Sequence, residues 1–186
     1  MDMFREFGED VVRKVIDHHT FHGGISRVEK IKYYYEAFIG QPLTTEQHKL
    51  KCDHFSELVL DKVLQCDWIP GCEDFVEKYY RCVPLFVISG IPTEELREII
   101  VRRNMDHYFR RILGSPTRKP AHIVDLANEF DLDLRQCAFV GDALTDYNAA
   151  KETGTNFIGV SGLVSFPAGT NVIEDCVTLE EAMVSL

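Results

Sequence analysis

A parallel α/β sheet covered by helices on both faces, joined to an all-helical N-terminal segment, is the fold class this sequence predicts. Three observations predict it. Residues 1–66 carry apolar side chains at helical spacing. From Trp68 onward, short apolar runs alternate with longer amphipathic stretches, the texture of strand–helix–strand units. Between them, Asp67-Trp68-Ile69-Pro70-Gly71 breaks the pattern and marks a boundary, which predicts a helical domain over 1–67 and an α/β domain over 68–186.

Taken in order, Phe4, Phe7, Val11 and Val15 define a first helical face, Val28, Ile31, Tyr35 and Phe38 a second, and Phe55, Leu58, Val59 and Val63 a third. Ser26-Arg27-Val28-Glu29 and Thr44-Thr45-Glu46-Gln47 have the Ser/Thr-x-x-Glu/Gln form in which side chain and backbone cap each other at a helix start. Gly23-Gly24 and Gly40-Gln41-Pro42 separate these helices. The predicted strands are 85–89, 111–114, 137–141 and 157–160, with helices over 93–104, 119–130, 145–153 and 178–185. No internal repeat or low-complexity stretch interrupts them.

Composition narrows the function. Twenty basic against thirty acidic residues give a formal charge of −10, which works against binding a polyanion such as nucleic acid and favours small-molecule or metal chemistry. The six cysteines form no Cys-x-x-Cys pair and read as reduced, buried side chains. The charged start MDMFREFGEDVV lacks a signal-peptide apolar stretch, and the longest apolar run is too short to span a bilayer, so a cytoplasmic protein is expected.

In an open parallel sheet, ligands gather outside the carboxyl ends of the strands. The residues there are Ser89-Gly90, Gly114 followed by Lys119, and Gly141-Asp142 with Asp146. A hydroxyl, an ammonium and two carboxylates are an inventory for holding a phosphoryl group beside Mg²⁺, which prefers one or two carboxylates with waters and phosphate oxygens. Lys119 opens a helix with Pro120 at an early position, so its charge opposes the positive end of the helix dipole unless an anion binds nearby. Taken singly, Lys119 also reads as a solvated lysine, and Asp142 and Asp146 as turn or cap residues. An EF-hand is excluded because Leu144 stands where an oxygen ligand is required, and a dinucleotide site because G-x-G-x-x-G is lacking between the first strand and helix. A phosphorylation-receiver domain needs its acidic pair ahead of the lysine, whereas here the pair follows Lys119.

"LFVISG" (85–90), "RKPAHI" (118–123) and "FVGDALTDYNAA" (139–150) resemble, in order, the second, third and fourth motifs of the haloacid dehalogenase superfamily. "IPGCEDF" (69–75) looks like the Pro-Gly helix start after the cap in its cap-bearing, phosphoglycolate phosphatase-like members, and residues 1–66 are similar to the inserted cap. The resemblance implies a Rossmannoid sheet with a helical cap and Mg²⁺-dependent hydrolysis of a small phosphorylated metabolite through an aspartyl-phosphate. It implies that Ser89 and Lys119 are catalytic, that Ser89, Gly90 and Lys119 bind the phosphate, and that Asp142 and Asp146 serve the metal. Phosphoglycolate and sugar phosphates are the substrates it suggests.

The family's first motif, an apolar strand ending in Asp-x-Asp that supplies nucleophile and general acid/base, has no counterpart: Asp2 has no strand before it, and Asp17 lies in a helical run with His19 two residues on. The expectation is therefore a truncated or mis-started chain, inactive as written, or alternatively an inactive phosphate-binding or interaction module. The absent strand belongs between those ending in Ser89 and Gly141. Either these neighbours pair directly, or a gap of about two strand spacings, near 9–10 Å, stays open. In the cap, His18 and His22 have a spacing that suits a metal but lack a third ligand. Arg27 and Lys30, in the first turn of a capped helix, are candidate substrate contacts, against the alternative of a solvated face. Oligomeric state is not specified by the sequence.

Overall fold

The computed structural model describes residues 2–186, with side chains from residue 3 onward, so the side chain of Asp2 lies outside the described residues. The helical segment opens with a 3₁₀ turn, Asp2–Phe7, followed by α1 (Glu9–Phe21), α2 (Arg27–Tyr33), a π-helical turn (Tyr34–Ile39) and α3 (Thr45–Gln65). The first apolar face is thus not one helix. Gly8, at φ 89°, turns the chain between the 3₁₀ turn and α1, although Phe4 and Val15 still reach the same core. At α3 the predicted cap forms in both directions: Gln47 N–H donates to Thr44 Oγ1 at 3.2 Å, and Thr44 N–H to Gln47 Oε1 at 3.0 Å. At α2 only half forms: Ser26 Oγ accepts from Val28 N–H at 3.3 Å.

After α4 (Cys72–Tyr79), strands and helices alternate: β1 (Phe86–Pro92), α5 (Thr93–Arg102), β2 (Arg111–Ser115), α6 (Lys119–Phe130), β3 (Ala138–Gly141), α7 (Leu144–Thr153), β4 (Asn156–Val160), β5 (Val172–Ile173) and α8 (Leu179–Val184). All strand pairs are parallel, but they form two sheets, β1–β2 and β3–β4–β5. Of the outcomes foreseen for the neighbouring strands, the open one is observed: β1 and β3 do not pair. Every residue of β1 and β3 is consequently only half-buried, whereas Ile158, Gly159 and Val160 of β4 are buried.

Two apolar cores result. One joins the 3₁₀ turn, α1, α2 and the π turn through Met3, Phe4, Val15, Ile31, Tyr34 and Tyr35. The other joins β4, β5 and the C-terminal turns through Ile158, Val160, Ile173, Cys176, Leu179 and Ala182. Burying a side chain such as Ile31 or Ile158 contributes roughly 1.5–3 kcal/mol. The cysteines are free, but only Cys176 is buried; Cys66 and Cys82 are exposed, which corrects the uniformly buried reading. Cys66 is the C-cap of α3, where its carbonyl accepts from Arg103 Nη1 at 2.6 Å. Among the described residues, no helix is long and apolar enough to cross a membrane.

Candidate active site

A cavity of about 740 Å³ lies where β1 and β3 fail to meet, roofed by the helical segment. Ser89, Gly90, Lys119, Asp142 and Asp146 line it from the α/β side, and Arg27 and Lys30 from the helical side. All seven sequence candidates therefore border one space. A smaller cavity of about 260 Å³ also reaches Ser89, Gly90 and Lys119.

The α/β side is set by strand ends and helix starts. Ser89 Oγ accepts a hydrogen bond from Ile91 N–H at 3.2 Å, so its hydroxyl proton is left to donate elsewhere. Lys119 is the first residue of α6, and its ammonium donates to Asp146 Oδ1 and, at 3.4 Å, to Thr145 Oγ1. The anion at the dipole's positive end is thus supplied by the first turn of α7. Asp146 Oδ2 accepts from Ala143 N–H at 3.2 Å, capping α7. Gly141 is required by this carboxylate, because a Cβ there would stand 2.6 Å from Asp146 Cβ, Cγ and Oδ2. The Gly-Asp-x-x-x-Asp spacing therefore folds Asp146 back over the strand end and leaves Asp142 exposed at the cavity.

Burial pushes the Asp146 carboxyl above its ordinary range, and the Asp142 carboxylate adds to this. Lys119, through charge and hydrogen bond, and Ala143 N–H pull it back. Asp146 already has its ammonium and its backbone donor, so Asp142 is the carboxylate of the pair left to meet a cation. Among the described residues, no group of three or more His, Cys, Asp or Glu side chains gathers as a metal site. That donor set still suits Mg²⁺, which takes one or two carboxylates and completes its shell with water and phosphate oxygens.

On the helical side the two cations differ. Arg27 donates to Glu95 Oε1 of α5 at 2.6 Å and to Ser56 Oγ of α3 at 2.5 Å, and Ser56 Oγ donates to Glu95 Oε2 at 2.8 Å. Its side chain is 9% exposed, so the solvated-face alternative does not hold. Lys30 is 5% exposed, again not solvated, and burial lowers its pKa. His18 and His22 stack with ring centroids 3.9 Å apart, and His22 Nδ1 donates to the His18 carbonyl at 3.0 Å.

Sequence reasoning missed Thr145 and Glu95. Thr145 Oγ1 donates to the Gly23 carbonyl at 3.3 Å while accepting from Lys119, which ties the loop between α1 and α2 to the site. Gly24 lies against it at φ 76°, where a Cβ would fall 1.9 Å from Thr145 Oγ1. The Gly-Gly pair carried the signal, since a left-handed backbone pressed against a side chain admits only glycine. Glu95 carried none, being 68 residues from Arg27.

None of the curated proteins compared matches the chain. Among solved structures, a predicted phosphoglycolate phosphatase from Haemophilus somnus 129PT superimposes with a TM-score of 0.70 at 19% identity, covering 95% of this chain and 88% of that one. A HAD hydrolase, family IA, variant 3, from Entamoeba histolytica HM-1:IMSS gives 0.71 at 14% identity, covering 94% and 87%. A phosphonoacetaldehyde hydrolase-like protein from Oleispira antarctica gives 0.70 at 17%, covering 88% and 76%. At these identities the likeness is one of fold. The model of the haloacid dehalogenase-like hydrolases matches residues 24–160, which is most of the chain and includes Ser89, Lys119, Asp142 and Asp146, and the chain belongs to that family.

Proposed function

We propose that the cavity between β1 and β3 is the phosphoryl site of an Mg²⁺-dependent phosphatase acting on a small phosphorylated metabolite. The observation that supports this most is the Lys119–Asp146–Asp142 arrangement: a buried ammonium and an exposed carboxylate border one cavity with a serine hydroxyl free to donate. Ser89 and Gly90 would hydrogen-bond the phosphoryl oxygens, and Lys119 would neutralise their charge. Asp142 would hold Mg²⁺, with Asp146 fixing Lys119 and the start of α7. Bound there, the metal would polarise the phosphoryl group.

The aspartyl-phosphate route needs a free carboxylate facing phosphorus. Among the described residues, the acidic side chains lining the cavity are Glu95, Asp142 and Asp146. Glu95 is held by Arg27 and Asp146 by Lys119, and Asp142 is assigned to the metal. Among the described residues no carboxylate is thus left to attack phosphorus, and we infer that they bind phosphate without turning over esters. Incubation with p-nitrophenyl phosphate and Mg²⁺ should release no nitrophenol above the Lys119→Met control, while calorimetry should detect inorganic phosphate binding that Lys119→Met abolishes. Turnover that Asp142→Asn removes would show that the nucleophile is present after all, and absence of phosphate binding would end the phosphoryl-site reading.

A further inference from the structure

Cys72 and Cys176 differ from the other four cysteines. Cys66, Cys82 and Cys137 direct their thiols at backbone carbonyls three or four residues back in the chain, and the Cys52 sulfur lies 3.7 Å from His48 Nε2. Cys72 and Cys176, from opposite ends of the α/β part, have each other: Cys72 packs against the core that contains Cys176, and the two thiols are within hydrogen-bonding reach. Backbone contacts hold them there. Cys72 is the first residue of α4, and Cys176 the first of the 3₁₀ turn Cys176–Thr178 that precedes α8. The Pro70 carbonyl accepts from Cys176 N–H at 2.9 Å. Gly71, at φ 77°, sits so close that a Cβ there would fall 2.6 Å from the Cys176 carbonyl carbon and 2.5 Å from Val177 N. Neither thiol lines the cavities described above.

We propose that Cys72 and Cys176 form an oxidation site, a dithiol that a hydroperoxide converts to a disulfide clipping α4 to the C-terminal turn and stabilising the fold. The half-buried Cys72 meets the oxidant, and the buried Cys176 resolves the product. The Cys72 sulfur attacks one oxygen of hydrogen peroxide, the O–O bond breaks, and a sulfenic acid and one water result. The Cys176 sulfur then displaces the sulfenic hydroxyl, which leaves with the Cys176 proton as a second water. The two thiols lose two electrons and two protons, and the peroxide gains them. Burial and the adjoining Cys176 thiol push the Cys72 thiol up to about 12, and burial raises Cys176 as well. Thiolate is therefore scarce at neutral pH and the bond forms slowly. The same basic sulfurs are poor leaving groups, so the bond is also slow to reduce, which suits a lasting cross-link rather than a fast switch. The loop it closes runs from Cys72 to Cys176 and contains β1 to β5, so one bond encloses both of the sheets that do not pair with each other.

The test is oxidation of the reduced 186-residue chain with hydrogen peroxide at about pH 9, where more thiolate is present, followed by alkylation of the remaining thiols and peptide mapping without reductant. Cys66→Ser and Cys82→Ser in the background remove the exposed thiols that could join one chain to another. Mapping should find Cys72 joined to Cys176 in most chains. The oxidised chain should melt at least about 5 °C higher than the reduced one, because the closed loop is long, roughly 100 residues, and dithiothreitol should return Tm to the reduced value. In Cys72→Ala the peroxide-dependent gain should be lost. Recovery of Cys72 and Cys176 as alkylated thiols, as sulfinic acids, or joined to Cys52 or Cys137 overturns the proposal, and this result stands even if Cys72→Ala fails to fold. So does a cross-linked chain that melts no higher, or a gain in Tm that persists in Cys72→Ala.

Discussion

Lys119 and Asp146 are 12% and 8% exposed and are each other's counter-ion, so removing either strands a buried charge. Lys119→Met should destabilise the chain by about 3–5 kcal/mol in a denaturant titration, and adding Asp146→Leu should recover part of that loss. Gly24→Ala, which forces a Cβ onto Thr145 Oγ1 at a left-handed backbone position, should cost more than about 1 kcal/mol; Thr145→Ser in the same background should not relieve it, since the hydroxyl remains. Lys30 gives a pH signature of opposite sense to a stabilising ion pair. Its pKa lies below 10.5 in the folded chain, so the unfolded chain holds the proton over a range where the folded one has lost it. The cost of burying Lys30 is therefore full below the folded value and is relieved as pH rises toward 10.5. Lys30→Met should raise Tm near neutral pH, by about 2–4 °C for each kcal/mol recovered, and the advantage should shrink with rising pH. A gain that is constant with pH would point to packing instead of charge.

Elements show where local signals suffice and where they do not. The boundaries of α6, Lys119–Phe130, coincide with the sequence reading because Lys-Pro at the start and the apolar stripe through Leu126 are both local signals. The two-residue β5 has no period to detect, and the Gly8 break was masked by apolar spacing that continues across it. Within the site, Ser89, Lys119, Asp142 and Asp146 were legible because each stands at a strand end or helix start. The Arg27–Glu95–Ser56 cluster was not, because it depends on three helices meeting. Those side chains should couple. A double-mutant cycle on Arg27→Met and Glu95→Gln should give an interaction of about 0.5–3 kcal/mol, and additivity would mean that the helical segment is held elsewhere. The unpaired edges of β1 and β3 make a parallel claim: β3 amides that do not bond to β4 should exchange with solvent roughly 100-fold faster than those inside β4.

At the scale of the whole molecule, the helical segment and the α/β part each contribute one wall of a shared cavity, and the divided sheet is what opens it. The net charge of −10 makes that cavity, with Arg27 and Lys119 paired and the Lys30 ammonium joined to no described residue, a local exception on an acidic protein. If phosphate and Mg²⁺ occupy this one space, each must change the other's affinity by the same factor. Measuring phosphate affinity with and without Mg²⁺, and Mg²⁺ affinity with and without phosphate, should return one reciprocal coupling of about fivefold or more that Asp142→Asn removes. Independent binding of the two, or a coupling that survives Asp142→Asn, would contradict a common pocket for Ser89, Lys119, Asp142 and Asp146.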